Sequence, residues 1–194
     1  MTAAPPRSSA MPRYSALQRA LHWLTALAIL GVIPLGFYIE GYEAEAVEAA
    51  NAALGPGGFD LLYALHKSLG LTILGLMILR IVARAGLGAP PHVPPLPRWQ
   101  KIAAEAVHGL LYLVLLATPL VGWIGVSLYP APADFWFLAD LALPLTPDRE
   151  TSEALLGDVH GPLAILALLL IAAHVLAALK HRLLDRDQVL SRML

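Results

Sequence analysis

Four long apolar segments constrain the fold of this 194-residue chain more than any other feature. Three of them contain no charged residue at all: Ala20–Ile39, Ala106–Ala133 and Val159–Leu179. The fourth, 61–83, carries only Lys67 and Arg80, near its two ends, where long cationic side chains can reach a membrane interface. Each segment is long enough to cross a hydrocarbon core of about 30 Å as a helix. The sequence therefore predicts an integral membrane protein.

Composition agrees with this prediction and excludes several kinds of site. Charged residues make up 14% of the chain, against about 25% in a typical soluble domain. The chain has no cysteine, which excludes disulfides, zinc–thiolate sites, iron–sulfur clusters and haem attached through Cys-x-x-Cys-His. The first apolar run is too long for a secretory signal core, so we expect a retained helix.

The connecting segments alternate in charge. Residues 1–19 contain three arginines and no acid, and the second connection contains four basic residues and no acid. The first connection contains five acids and no base, and the third contains six acids and one arginine. Because basic residues mark the cytoplasmic side, we predict an all-α, four-helix, up-and-down transmembrane bundle with both termini cytoplasmic.

The predicted organisation is a flexible tail followed by one domain. Residues 1–12, rich in Ala, Pro and Ser, should form the tail, and residues 13–194 should form a single transmembrane domain. Its spans are predicted at about 19–40, 61–83, 103–129 and 158–181. The proline-rich stretch Pro90–Pro97 should be extended, and Asp134–Leu145 is predicted to form a short helix on the membrane surface.

Five of the seven histidines lie within or beside the predicted spans. His160 and His174 are fourteen residues apart, which puts them on one face of a helix with a rise of about 21 Å between them. By depth, His22 should be level with His174, and His66 with His160. Two histidines on different helices at each of two levels fit two haems with paired axial ligands.

Three alternatives to this pairing remain open on residue patterns alone. His108 lies at a depth similar to that of His22 and could be an inner ligand. Any one of these histidines could instead bond to a carbonyl on a neighbouring helix. Zinc would need three or four close ligands, often with a carboxylate, whereas the acids of the spans, such as Glu105, lie only at the rim.

The positions fourteen residues from the histidines support a cofactor on the same face. Gly36 and Gly122 follow His22 and His108 at this distance, and each would clear space at the outer level. Arg80 follows His66 and would point inward at the inner level, where it could meet a haem propionate. Its alternative is to extend to the cytoplasmic interface.

The chain resembles the bacterial cytochrome b561 family, four-helix dihaem membrane proteins that include superoxide oxidase. The resemblance covers Arg13 to Leu194 and rests on several motifs together. They are Arg13-Tyr14-Ser15-Ala16-Leu17-Gln18 before His22-Trp23, Leu65-His66-Lys67-Ser68-Leu69-Gly70, His108-Gly109-Leu110-Leu111-Tyr112, Pro119-Leu120-Val121-Gly122, and His160 with His174.

This resemblance implies two non-covalent b-type haems. It makes His22 and His174 the ligands of the inner haem iron, and His66 and His160 those of the outer one. We place Arg80 and Lys67 among the other cofactor-binding residues. No side chain beyond the haems is predicted to be catalytic.

The resemblance also implies electron transfer across the bacterial inner membrane, between a periplasmic one-electron donor and ubiquinone near the cytoplasmic side. The donor is either superoxide or a redox protein. In the superoxide oxidase branch, His108 and His181 match residues at the quinone site, and we expect Trp99 and Lys101 at its entrance. The predicted partners are thus membrane lipid, ubiquinone and the donor, with no nucleic acid.

One departure bears on the donor. An enzyme for the superoxide anion should concentrate positive potential at its entry, but the two outer connections contain eleven acidic residues and one arginine. This pattern favours a cationic donor such as a basic c-type cytochrome. Two other functions remain open: a haem-bearing anchor subunit that relays electrons from a dehydrogenase or hydrogenase, and a non-redox bundle.

Overall fold

The computed structural model describes residues 12–40, 44–91, 97–129 and 132–194. Its frame is four long helices: α1 (Ala16–Ile39), α3 (Gly58–Leu87), α4 (Arg98–Leu128) and α6 (Gly161–Leu183). All four are long and apolar enough to cross a membrane, α6 together with the helical residues from Arg149 that lead into it. The predicted all-α, four-helix membrane architecture is confirmed.

The remaining elements are short and lie at the ends of the bundle. α2 (Ala44–Leu54) precedes α3, and α5 (Arg149–Ala154) continues through a π-helical stretch, Leu155–His160, into α6. A 3₁₀ turn, Leu190–Arg192, lies near the C-terminus. Of the predicted tail 1–12, residues 1–11 lie outside the described residues, as do 92–96 of the stretch expected to be extended.

The prediction of a surface helix at Asp134–Leu145 is wrong. This run contains an antiparallel hairpin of β1 (Asp134–Phe135) and β2 (Ala139–Asp140). The Asp140 carboxylate accepts hydrogen bonds from the backbone N–H groups of Ala133 and Ala142, at 2.8 and 2.9 Å. Such a side chain satisfies backbone donors locally and favours a turn over a helix.

α1 begins at a capping box formed by the Ser15-Ala16-Leu17-Gln18 motif. The Gln18 N–H donates to Ser15 Oγ, and the Ser15 N–H donates to Gln18 Oε1, both at 3.2 Å. Two of the unpaired N–H groups at this helix end are thereby satisfied. Gln18 Nε2 also donates to the Gly88 carbonyl at the end of α3, at 2.9 Å, which ties the two helix ends together.

The outer surface of the bundle is apolar, as expected for helices in lipid. Leu30 and Leu176, for example, are 70% and 65% exposed. Inside, Ile29, Ile73 and Met77 form a buried cluster that joins α1 to α3. Charged residues are concentrated at the two ends, so the bundle between them is mostly apolar.

Consecutive long helices pack directly: α1 on α3, α3 on α4, and α4 on α6. In contrast, within the described residues the backbones of α1 and α6 make few or no close approaches. The termini meet at one end of the bundle, where the Tyr14 N–H donates to the Arg192 carbonyl at 3.2 Å. We call this the basic end, and the opposite end, with α2, the hairpin and α5, the acidic end.

Candidate functional site

Two pairs of histidines face each other across the bundle at two levels. The rings of His22 on α1 and His174 on α6 have centres 6.2 Å apart, toward the basic end. Those of His66 on α3 and His160 have centres 6.1 Å apart, toward the acidic end. A metal–imidazole bond of about 2.0 Å would put two rings on opposite sides of one metal with centres roughly 6 Å apart. Both pairs fit such a metal.

The pair toward the acidic end, His66 with His160, is packed against two glycines, and we call it the outer pair after the expected orientation. A Cβ on Gly122 would lie 2.9 Å from both Cε1 and Nδ1 of His160, and a Cβ on Gly36 would lie 3.2 Å from Cε1 of His66. If either glycine were replaced by alanine, the neighbouring imidazole ring would have to move. The space left by Gly36 and Gly122 is therefore filled by the imidazole rings of His66 and His160, each on a neighbouring helical segment.

His160 has the tautomer that a metal ligand needs. Its Nδ1 lies 2.9 Å from the Thr118 carbonyl on α4, to which it can only donate, so Nε2 keeps its lone pair for a metal. His66 Nδ1 is buried as well, and the ring lies within hydrogen-bonding reach of the Val32 backbone on α1. A ring N–H that bonds to the backbone would leave the other ring nitrogen free for a metal, as in His160.

The position of His160 is set by the segment before it. Ser152, fully buried, donates from Oγ to the Gly125 carbonyl of α4 at 2.7 Å. A Cβ on Gly125 would lie 2.7 Å from Leu156, so the glycine allows the π-helical stretch to approach α4 closely. His160 ends that stretch, and π-helical turns inside α-helices occur frequently at functional sites.

The pair toward the basic end, His22 with His174, which we call the inner pair, has two additional neighbours. The His108 ring centre lies 5.1 Å from that of His174, which is shorter than the separation expected for two rings on opposite sides of a metal. The Arg80 guanidinium lies 3.2 Å from His22 Nδ1 and over the Tyr112 ring, 5.7 Å from its centre. Arg80 therefore points into the bundle rather than toward the basic end. The distances between ring centres, 6.2 Å for His22 and 5.1 Å for His108, favour His22 as the partner of His174.

Lys67 is expected near the outer cofactor, but its ammonium faces the hairpin segment. Its ammonium donates to the Asp134 carboxylate at 2.7 Å and to the Pro132 carbonyl at 2.6 Å, and its side chain is only 10% exposed. Ser68, fully buried, fixes the same hairpin by accepting from the Trp136 N–H at 2.8 Å. Lys67 thus holds the hairpin onto α3 directly beside His66.

The residues expected at a quinone site are distributed along the basic half. His108 is exposed on the surface of α4, with Nδ1 donating to the Ala104 carbonyl at 2.6 Å. His181 lies in the last turn of α6 and contacts two carboxylates. Trp99 is 66% exposed, and Lys101 pairs with Glu105 at 3.9 Å. These last two lie roughly 14 and 11 Å before His108 along the helix, at the rim of the bundle.

Sequence reasoning missed several residues of this site. Tyr112 lies four residues after His108 on the same face of α4, and that spacing could have identified it as a neighbour of Arg80. The Thr118 carbonyl, the Asp134 carboxylate and the Asp187 carboxylate, which contacts His181, carry no such signal. Their contacts depend on how a π-helical stretch, a hairpin and a chain reversal place them.

Comparisons with known proteins show similarity over nearly the whole chain. The family model described as prokaryotic cytochrome b561 matches residues 13–194. Cytochrome b561 homolog 1 of Escherichia coli (strain K12) is 30% identical, over 95% of this chain and 98% of its own length. The probable superoxide oxidase CybB of Yersinia pestis is 28% identical, over 94% and 96%. Cytochrome b562 of Cereibacter sphaeroides is 30% identical over the same two shares.

Proposed function

Because the chain belongs to the prokaryotic cytochrome b561 family, we propose that it carries electrons across the bacterial inner membrane, from a one-electron donor at the acidic end to ubiquinone at the basic end. Family membership itself makes the chain a membrane-embedded b-type cytochrome that takes part in electron transport. The number of haems, the donor, the quinone and the orientation with both termini in the cytoplasm belong to the proposal.

One observation carries the proposal: two facing histidine pairs of nearly equal separation lie at two levels of one bundle. His160 and His174, one from each pair, are fourteen residues apart, or about 21 Å along the helix. We assign one non-covalent haem b to each pair, His66 with His160 and His22 with His174. Each haem would supply an iron that alternates between its ferric and ferrous forms and so holds one electron.

The Arg80–His22 contact suggests a role for the arginine. Arginine can only donate, so His22 Nδ1 accepts from it, and a neutral His22 must then carry its proton on Nε2. That tautomer has no lone pair on Nε2 for iron. With haem bound, Arg80 must therefore release His22, and a haem propionate is the natural new partner for a guanidinium held inside the bundle.

We place the quinone beside His108 and His181, entering laterally from the lipid. Supporting this, His108 is exposed on the bundle surface, while its ring lies 5.1 Å from the proposed haem ligand His174. Its Nδ1 is used by the Ala104 carbonyl, so Nε2 is the atom left to face a substrate. A mostly apolar quinone needs few polar contacts, and Trp99 and Lys101 would lie at the entrance.

Electrostatics favour a cationic redox protein as the donor. Ten of the eleven acidic residues at the acidic end lie in the described part of the chain, and its two cations there are both paired. Lys67 contacts Asp134, and Arg149 contacts Glu153, each at 2.7 Å. Superoxide is the second candidate, because the similar Yersinia pestis protein is named as a probable superoxide oxidase.

Stopped-flow mixing tests the proposal. The purified haem-loaded protein, reduced with dithionite and freed of excess reductant, should be reoxidised rapidly by a short-chain ubiquinone. The oxidised protein should then be reduced faster by a basic c-type cytochrome than by superoxide. Failure of the protein alone to react with quinone would favour the anchor-subunit function instead. His108→Ala and His181→Ala with both haems intact should each slow quinone reduction, and wild-type rates in both would place the quinone elsewhere.

A further inference from the structure

The side chain of His181 is held by the segment that follows α6. Its Nδ1 lies 2.6 Å from Asp187 Oδ2 and 3.2 Å from Asp185 Oδ2. Asp185 Oδ2 also accepts from the Lys180 ammonium at 2.6 Å. Among the described residues, no lysine or arginine contacts Asp187 Oδ2. Asp187 is therefore the closer carboxylate and the one less compensated by another charge.

A reversal of the chain after α6 brings Asp187 back to the helix. Arg186 has a φ of 54°, in the left-handed region that a non-glycine residue adopts only at a cost. The Asp187 N–H then donates to the His181 carbonyl at 3.1 Å, and Asp187 Oδ1 accepts from the Val189 N–H at 2.9 Å. Three contacts thus fix the carboxylate, two through its oxygens and one through its backbone.

The rest of the C-terminal segment is anchored across the basic end. The Arg192 side chain is only 2% exposed and donates to the carbonyls of Pro12, Pro90 and Pro91. Trp23 Nε1, next to His22 in the chain, donates to the Met193 carbonyl at 2.8 Å. These contacts keep the segment in place, so Asp187 is a fixed partner of His181 rather than a mobile surface acid.

We propose that Asp187 is a positioning residue for proton delivery, holding His181 so that Nε2 presents a proton to the bound quinone. This rests on the proposed quinone site. With Nδ1 bonded to a carboxylate, an imidazole of His181 protonated on both nitrogens keeps one N–H there and presents the other, on Nε2, to the substrate. The two side chains are 16% and 31% exposed, so His181 can recover its proton from water at the basic end.

The chemistry balances with one proton assigned to this residue. Conversion of a quinone to a quinol consumes two protons and two electrons, and the two proposed haems would supply one electron each. At His181 the Nε2–H bond breaks and an O–H bond forms at one quinone oxygen. The second proton reaches the other quinone oxygen from water at the basic end, from which the His181 imidazole also recovers its own.

Kinetics of Asp187→Asn in the full haem-loaded protein test the proposal, with short-chain ubiquinone as the probe. The maximal rate should fall about tenfold, part of the roughly 10²–10⁴-fold that a positioned acid contributes. The Michaelis constant and the equilibrium affinity of the oxidised protein for quinone should stay near wild type. The solvent deuterium isotope effect should rise, since proton transfer becomes slower, and Asp187→Glu should restore much of the rate.

The matched comparison is Asp185→Asn, which removes the same charge from the same turn. It should keep the wild-type isotope effect, because Asp185 is the farther carboxylate and is paired with Lys180. Equal isotope effects in the two variants would overturn the proposal, as would a wild-type rate in Asp187→Asn beside a slowed His181→Ala. A wild-type rate in His181→Ala would instead exclude His181 from the proposed quinone site.

Discussion

The imidazole of His160 lies directly against Gly122, with room for a hydrogen but none for a methyl group. Gly122→Ala should displace the ring and release the outer haem, while the inner haem remains. Gly109→Ala, on the same helix with nothing within 4 Å of its added Cβ, is the control and should keep both. Haem content and the low-spin visible spectrum measure the effect. Full haem content in Gly122→Ala would show that His160 is not a ligand in this position.

The two pairs predict a stoichiometry of two b haems per chain. His66→Ala and His160→Ala should each lose the outer haem, and His22→Ala and His174→Ala the inner one, so that pyridine haemochrome analysis falls from about two to about one. Because the His108–His174 separation is too short for ligands on opposite sides of a metal, His108→Ala should keep both. Loss of a haem from His108→Ala with retention in His22→Ala would reverse the inner assignment.

Filled coordination shells predict slow reaction with carbon monoxide. When both axial positions of each iron hold a histidine, the gas can bind only after one ligand leaves. Flash or stopped-flow spectroscopy of the dithionite-reduced protein should therefore show little rapid carbon monoxide binding. His160→Ala, if it retains any outer haem, should bind the gas quickly. Rapid, stoichiometric binding by the wild-type protein would mean that one assigned histidine is not a ligand.

The helices and histidine levels followed from sequence because they depend on local geometry. Fourteen residues set the direction and rise between His160 and His174 wherever the helix lies, and uncharged runs of the required length have few other uses. The capping box at Ser15 and Gln18 was not predicted, although it too is complete within four residues. The facing partners His22 and His66 needed only the depth of each span.

The contacts that complete the site were less accessible from sequence. The hairpin turn uses Trp136 and Phe137 at φ values of 50° and 60°, without the glycine or asparagine that usually marks such a turn. Its position, and hence the Lys67–Asp134 pair, could not be foreseen. Asp187 reaches His181 through a left-handed arginine at position 186, which also carries no sequence signal.

The Lys67–Asp134 pair predicts how the acidic end selects its electron donor. Asp134 lies 2.7 Å from the Lys67 ammonium, which follows the proposed ligand His66 in the chain, and cancels the positive charge beside the outer pair. Asp134→Asn should uncover that charge and raise the rate of reduction by superoxide several-fold, roughly at the low end of known electrostatic steering effects. The increase should shrink at high ionic strength, where screening is stronger.

Glu48→Gln on α2 is the matched control, because it removes one negative charge from the same end without touching Lys67. Both variants should slow reduction by a basic c-type cytochrome, but only Asp134→Asn should accelerate the reaction with superoxide. Stopped-flow rates at two salt concentrations separate these outcomes. If both variants were reduced by superoxide equally faster than wild type, the total charge of the acidic end would determine which donor reacts. No change in either would mean that superoxide does not approach past Lys67.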